Sequence, residues 1–330
     1  MSTLGGGLVA RSTALQALGL AHLSCREMGD FISITPSQRA RILWALPWAV
    51  AGAASCGPAT TLSGSLRVVD DAGDTVAVAA PARRIASLIP ATTEMLFAIG
   101  AGGAVVGRTA WCDYPAAAKA VPNLGDGIGP SLEAILSARP DLVLLYHSTR
   151  NAETATRLRE AGIPALLLNT DALADVGRLA RLLGRVSGRQ GGADSVAAAF
   201  DSALAAATMP AGANAPKVLL LVWEQPPMTV GRGSFLSELV ERAGGRNLFD
   251  DVVASAGTVS IEAVATRDPD FILTASDGPA AFVSRPEWQV VRAVRERRLL
   301  RVSGSEFSRP GPRAPAAIRE LASRLREVTR

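Results

Sequence analysis

Two glutamates occupy the same place in a phrase that the chain writes twice: Glu133 in SLEAILSARPDLVLL, residues 131–145, and Glu262 in SIEAVATRDPDFILT, residues 260–274. In each copy a serine precedes an apolar-periodic stretch and the glutamate follows two residues later, so both carboxylates fall in the first turn of an expected helix. An acid there stabilises the helix dipole by about 0.3–1 kcal/mol. The dipole alone would accept aspartate or a shifted position, and it requires no match between copies 129 residues apart.

A second set of residues has the chemistry of a ligand site. Trp111 follows VVGRTA, Tyr146 and His147 follow DLVLL, Trp223 ends KVLLLVW, and Phe307, Arg309 and Arg313 follow LLRVSG. All stand at the carboxyl ends of expected strands, where open α/β sheets bind their ligands. Flat rings can cover a broad planar ligand, arginines grip carboxylates through two parallel hydrogen bonds, and His147 is a candidate axial metal donor. Each has a plainer reading too: core packing for the aromatics, a hydrogen-bonded structural role for His147, and anchoring of the last helix for RPGPR, residues 309–313. Signals of catalysis are weaker. GAGGAVVG, residues 100–107, follows a helix and precedes a strand, the wrong setting for a dinucleotide loop. The chain holds no P-loop, no Gly-x-Ser-x-Gly elbow and no Cys-x-x-Cys. The expectation is a binding protein with no catalytic cofactor.

The elements that must position these residues can be read from composition and period. Apolar residues make up 48% of the 330 and charged residues 19%, which describes a globular chain. The formal charge of +4 is spread without like-charge runs, so no nucleic-acid footprint is expected. Residues 1–55 read as a leader, with Met28 as an alternative start: Arg39 and Arg41 precede the apolar stretch 42–54, too short to span a bilayer but suited to a signal peptide. Ala53, Ala54 and Ser55 then lead into Cys56 in the manner of a lipoprotein signal, which makes Cys56 the candidate lipid-bearing residue. Loss of the leader removes Arg11, Arg26, Arg39 and Arg41 with Glu27 and Asp30, taking the charge from +4 to +2. Cys112 would then be the one free thiol, and His147 the one histidine.

Residues 56–82 read as a tether and a hairpin turning at Asp71-Ala72-Gly73-Asp74. From 83 to 186, short continuous apolar strands alternate with helical stretches, the pattern of a parallel sheet covered on both faces. Residues 187–208 are alanine-rich, with Val196, Phe200 and Leu204 at four-residue spacing, and predict one long helix. The alternation restarts at 216 and runs to 330 in the same order. The expected fold is therefore α/β, with two Rossmann-like lobes of parallel sheet joined by a long α-helix.

Four segments in this order, RIASLIPATTEMLFAIGAGGAVVGRTAWCDYP, PSLEAILSARPDLVL, GRGSFLSELVERAGGRNLF and SRPGPRAPAAIRELASRL, resemble the periplasmic substrate-binding proteins of vitamin B12 and ferric-siderophore ABC importers, the helical-backbone metal receptors. The resemblance covers about residues 65–328. It implies a class III periplasmic binding protein, a monomer held outside the cytoplasm by a lipid anchor, that carries a metal chelate between its lobes to a permease dimer and its ATPase. It implies further that Glu133 and Glu262 meet arginines of that permease, that Trp111 and Tyr146 lie against the ligand, and that Arg309 touches the ligand's periphery. Cobalamin or another corrinoid is the first cargo implied, with a ferric siderophore or haem second; a sensor or enzyme on the same fold is the remaining alternative. Gly127 and Ala256 stand where the cobalamin binders carry tryptophan, which leaves room for a differently shaped ligand.

Overall fold

The computed structural model describes residues 64–209, 212–252, 256–274 and 280–329. The expected leader, Cys56 and the tether before Gly64 lie outside the described residues. The chain enters on an antiparallel hairpin, β1 (Gly64–Val69) and β2 (Thr75–Ala80), whose turn is closed by Asp70 accepting from the Ala72 and Asp74 N–H groups.

Four parallel strands follow: β3 (Ile85–Ser87), β4 (Val105–Arg108), β5 (Leu142–Tyr146) and β6 (Ala165–Leu168), in the spatial order β4-β3-β5-β6. The connections include α1 (Pro90–Ala98), α2 (Leu132–Ser137) and α3 (Thr149–Glu160). Helix α1 opens at Pro90, which has no N–H to leave unpaired and whose fixed φ suits the first helical position. Helix α4 (Leu173–Ser187) ends at Gly188 in the left-handed conformation, and α5 (Gln190–Ala207) carries the chain to the second sheet. The long helix expected over 187–208 thus starts at Gln190 and spans about 27 Å.

The second sheet comprises β7 (Lys217–Glu224), β8 (Pro227–Thr229), β9 (Arg246–Asn247), β10 (Gly257–Thr258), β11 (Phe271–Thr274) and β12 (Leu299–Arg301). Its helices are α6 (Phe235–Arg242), α7 (Ile261–Arg267), α8 (Arg292–Arg295) and α9 (Ala314–Thr329). The parallel strands run β9-β7-β11-β12, so the first strand of each lobe is flanked by the second on one side and by the third and fourth on the other. Sequence reasoning missed the edge formed by β8 and β10, which pair antiparallel beside the carboxyl half of β7. Such short strands carry too few residues to show a period.

Alternation along each strand sorts side chains between two faces. Leu142 and Leu144 of β5, and Val218 and Leu220 of β7, enter one apolar core that runs through both lobes and takes in Ala193, Ala197 and Phe200 of α5. Val143 and Leu145 face a core private to the first lobe, and Leu219 and Leu221 one private to the second. The bridging helix is therefore packed into shared core along its length. Among the described residues, no helix is long and apolar enough to cross a membrane.

Close packing of α5 needs Gly192, where a Cβ would lie 2.4 Å from the Ile99 carbonyl oxygen. Helix preference favours alanine over glycine by about 1 kcal/mol, yet a clash with backbone cannot be relieved by a rotamer change. Gly192→Ala should lower stability in urea unfolding by roughly 1–3 kcal/mol. A variant as stable as the parent would show that the contact does not constrain the helix.

Candidate ligand-binding cleft

Where the strand order reverses about β3, the loops leaving the sheet splay apart and open a crevice. The structure has a cavity of about 460 Å³ there. Leu88–Ala91 after β3, Trp111 after β4, Tyr146 at the end of β5 and Thr170–Asp171 after β6 form its first-lobe walls. Ser305, Ser308, Arg309 and Pro310, in the loop after β12, form the opposite wall. Trp111 and Ile128 are about two-thirds exposed, at 66% and 68%, and offer large apolar surfaces to an incoming molecule. Buried Asn151 of α3 holds one rim in place, donating from Nδ2 to the Gly127 and Tyr146 carbonyls at 3.3 and 2.9 Å.

Gly127 has φ +85°, and a Cβ would sit 2.7 Å from the Leu88 carbonyl oxygen. This backbone has no space for tryptophan, and the neighbouring Ile128 supplies the apolar surface instead.

Among the described residues, three carboxylates line the cavity with a single arginine. Asp113 pairs with Arg309 Nη2 in a short contact. Burial acts upward on the Asp113 carboxyl, but the guanidinium of Arg309, with the Asp113 backbone N–H and the Ser305 hydroxyl, outweighs it and holds the pKa below the usual aspartate value. Tyr146 donates its hydroxyl to Asp171 Oδ1 at 2.9 Å, and burial followed by that acceptor pushes the phenol up to about 12. It is a neutral hydrogen-bonded ring at physiological pH. Asp126 accepts from the Ile128 N–H at 2.9 Å and keeps further acceptor capacity.

Of the residues expected at the site, the structure places Trp111, Tyr146 and Arg309 on the cavity wall. Phe307 requires correction: it is 2% exposed and packs into the shared core, where an aromatic side chain contributes about 1.5–3 kcal/mol by burial. Arg313 also lies outside the wall, held by Glu94, Glu306 and Ser305 Oγ and stacked 4.0 Å over the Tyr114 ring. His147 is half-buried beside Asn169, with Nδ1 3.2 Å from its Oδ1, and Trp223 is exposed with its indole N–H donated to the Gln225 carbonyl. Neither lines the cavity. Sequence reasoning overlooked Asp113, Asp126, Asp171 and Ile128. Asp171 was accessible to it by the rule already applied to Tyr146, since it follows strand β6 directly.

A larger groove of about 1050 Å³ lies between α4, α5 and the hairpin, away from the strand ends. Its charges largely cancel within the chain, Arg178 pairing with Asp71 and Arg181 approaching Asp194.

The twin glutamates have matched settings. Ser131 Oγ accepts from the Ala134 N–H at 3.3 Å and Ser260 Oγ from the Ala263 N–H at 3.1 Å, so each glutamate is the second residue of a serine-capped helix. Both are exposed. The backbone N–H of Glu262, and next the Ser260 hydroxyl, hold the Glu262 carboxyl below the usual range.

The Asp113–Arg309 pair makes stability depend on pH in a defined direction. Because the folded pKa of Asp113 is depressed, its contribution is present above the unfolded value of about 3.9 and is lost as pH falls through the lower folded value. In urea unfolding, the advantage of the parent over Asp113→Asn should be full at neutral pH and shrink below about pH 4. An advantage independent of pH would contradict the pairing.

Comparison with known proteins agrees with this geometry. A family model described as periplasmic binding protein matches residues 85–303. A vitamin B12-binding protein of Pectobacterium atrosepticum is 30% identical over 260 residues, covering 77% of this chain and 92% of that protein. Among solved structures, the periplasmic heme-binding protein RhuT from Roseiflexus sp. RS-1 superposes with a TM-score of 0.69 at 27% identity, covering 75% of this chain and 99% of that one. The periplasmic vitamin B12 binding protein BtuF of Vibrio cholerae gives 0.66 at 26% identity, covering 76% and 99%. With its two α/β lobes and single joining helix, the chain belongs to the periplasmic binding protein family, in the class III architecture.

Proposed function

We propose that this chain is the extracytoplasmic substrate-binding protein of an ABC importer and that it carries cobalamin or a related corrinoid. The observation that carries the choice of cargo is the make-up of the cavity: apolar surfaces from Trp111, Ile128 and Tyr146, and three aspartates against one arginine that Asp113 already neutralises. A corrinoid brings a broad apolar face and a rim of amide N–H donors, which carboxylates accept. It also brings a metal already held by its macrocycle, so the wall needs no protein donor to the metal. Haem presents two carboxylates, which Asp126 and Asp171 would repel, and it needs an axial ligand, for which a phenol held neutral by burial and by Asp171 is a poor candidate. The names of the relatives, vitamin B12-binding and heme-binding, support the class of planar metal chelates.

In this reading Cys56 bears the lipid that keeps the protein at the membrane, the cargo is released unchanged, and the monomer meets a permease dimer through Glu133 and Glu262. Exposed charge pairs of that kind contribute modestly to affinity and more to orientation and encounter rate, as a transient delivery complex requires.

Titration with cyanocobalamin, haem and a ferric hydroxamate should give micromolar or tighter binding for cyanocobalamin and weaker binding for the others. Trp111→Ala should weaken it at least about tenfold, or roughly 1.4 kcal/mol. Haem binding more tightly than cyanocobalamin would overturn the choice of cargo. For docking, the double variant Glu133→Lys/Glu262→Lys should abolish uptake in cells while leaving cyanocobalamin affinity unchanged; a loss of affinity instead would place these acids in the cleft or the fold.

A further inference from the structure

The second-lobe wall of the cavity is fastened to the first lobe through one buried carboxylate. Glu94, on α1, is 3% exposed and does not line the cavity. Its two oxygens accept from Arg313 Nε at 3.0 Å and Nη2 at 2.9 Å. Arg313 also donates to Ser305 Oγ at 2.8 Å and pairs with Glu306, so the same guanidinium ties the start of the loop after β12 to its end. Arg309 Nε, a buried donor without a hydrogen-bond partner among the described residues, lies 3.9 Å from Glu94 Oε2. The rest of that guanidinium reaches the Trp111 carbonyl at 2.8 Å and Asp113. Between the two arginines, Gly311 lies so close that a Cβ would be 3.3 Å from Glu94 Oε1.

Within the segment 305–313, Arg313 is thus held directly by Glu94, Ser305 and Glu306 are held through Arg313, and Arg309 approaches the same carboxylate. An ordinary surface ion pair would join two elements without shaping what lies beside them. Here the clamped loop is itself cavity wall, because Ser305, Ser308, Arg309 and Pro310 line it.

We infer that Glu94 is the positioning residue of the cleft: without touching the cargo, it places Ser305, Ser308 and Arg309 where the cargo meets them. The inference rests on the reading of this cavity as the ligand site, and its test separates the two. Amide hydrogen exchange of the full chain without ligand should show Glu94→Gln loosening the segment 305–313, with Phe307, Ser308 and Ala314 N–H groups, now bonded to Gly304, Ser305 and Gly311 carbonyls, exchanging at least about tenfold faster. Strands β5 and β11 should keep their protection. The same variant should bind cyanocobalamin about tenfold or more weakly. Glu94→Asp retains the charge one methylene short, should give intermediate values for both, and serves if the glutamine variant fails to fold. Unchanged exchange at 305–313, a uniform rise through both lobes, or a loosened loop with unchanged affinity would each overturn the inference. Failure of the parent chain to bind cyanocobalamin would overturn the cargo instead, and the exchange experiment would still decide the role of Glu94.

Discussion

Glu94 is almost wholly withdrawn from water, and an ionised carboxylate in such a place costs several kcal/mol unless cations meet it. The cations that meet it, Arg313 and Arg309, come from the other lobe. Burial of one acid in the middle of α1 therefore requires two lobes to stand together in a particular way. Much of the cleft follows from this constraint. Arg309, drawn toward Glu94, presents its remaining donors to the Trp111 carbonyl and to Asp113, which orders the loop that carries the broadest exposed ring of the cavity.

The apolar packing acts in the same sense. One face of each sheet joins a core continuous between the lobes, and α5 lies within it, anchored at Gly192 against the Ile99 carbonyl. Two hinged bodies with separate cores would be free to close over a ligand. A shared core and a buried interlobe ion cluster restrict closure to small adjustments, because packed interiors do not deform continuously. On the proposed function, the cargo then meets a largely preformed cleft, which lowers the ordering cost that association must offset.

Much of this was legible in the chain itself. Period and alternation marked most of the parallel strands, the long helix and the duplicated order of elements, since a continuous apolar strand set between helices must be covered on both faces. The rule that ligands gather at strand carboxyl ends led to Trp111, Tyr146 and Arg309. It failed for Phe307 because a short loop after a strand can turn its ring either way, and only packing decides which. It failed for Arg313 because a guanidinium in RPGPR has the same sequence signature whether it reaches a ligand or a buried acid 219 residues earlier. The acid partner gave little sign of itself: Glu94 sits in an apolar helix, TTEMLF, where a solvent-facing residue would look the same. The acidic character of the cleft was hidden for a related reason, as Asp113, Asp126 and Asp171 come from three separate loops that only the sheet brings together.

The cavity built at the reversal of strand order, with its far wall fastened to Glu94, is the place proposed for a corrinoid. The most direct test is a crystal structure of the chain with cyanocobalamin. The corrin should lie between Trp111 and Tyr146 on one side and the 305–310 loop on the other, with its amides directed at Asp126 or Asp171 and Glu94 still bonded to Arg313. A corrinoid bound elsewhere, or bound here only with the Glu94–Arg313 contact broken and the lobes rearranged, would contradict it.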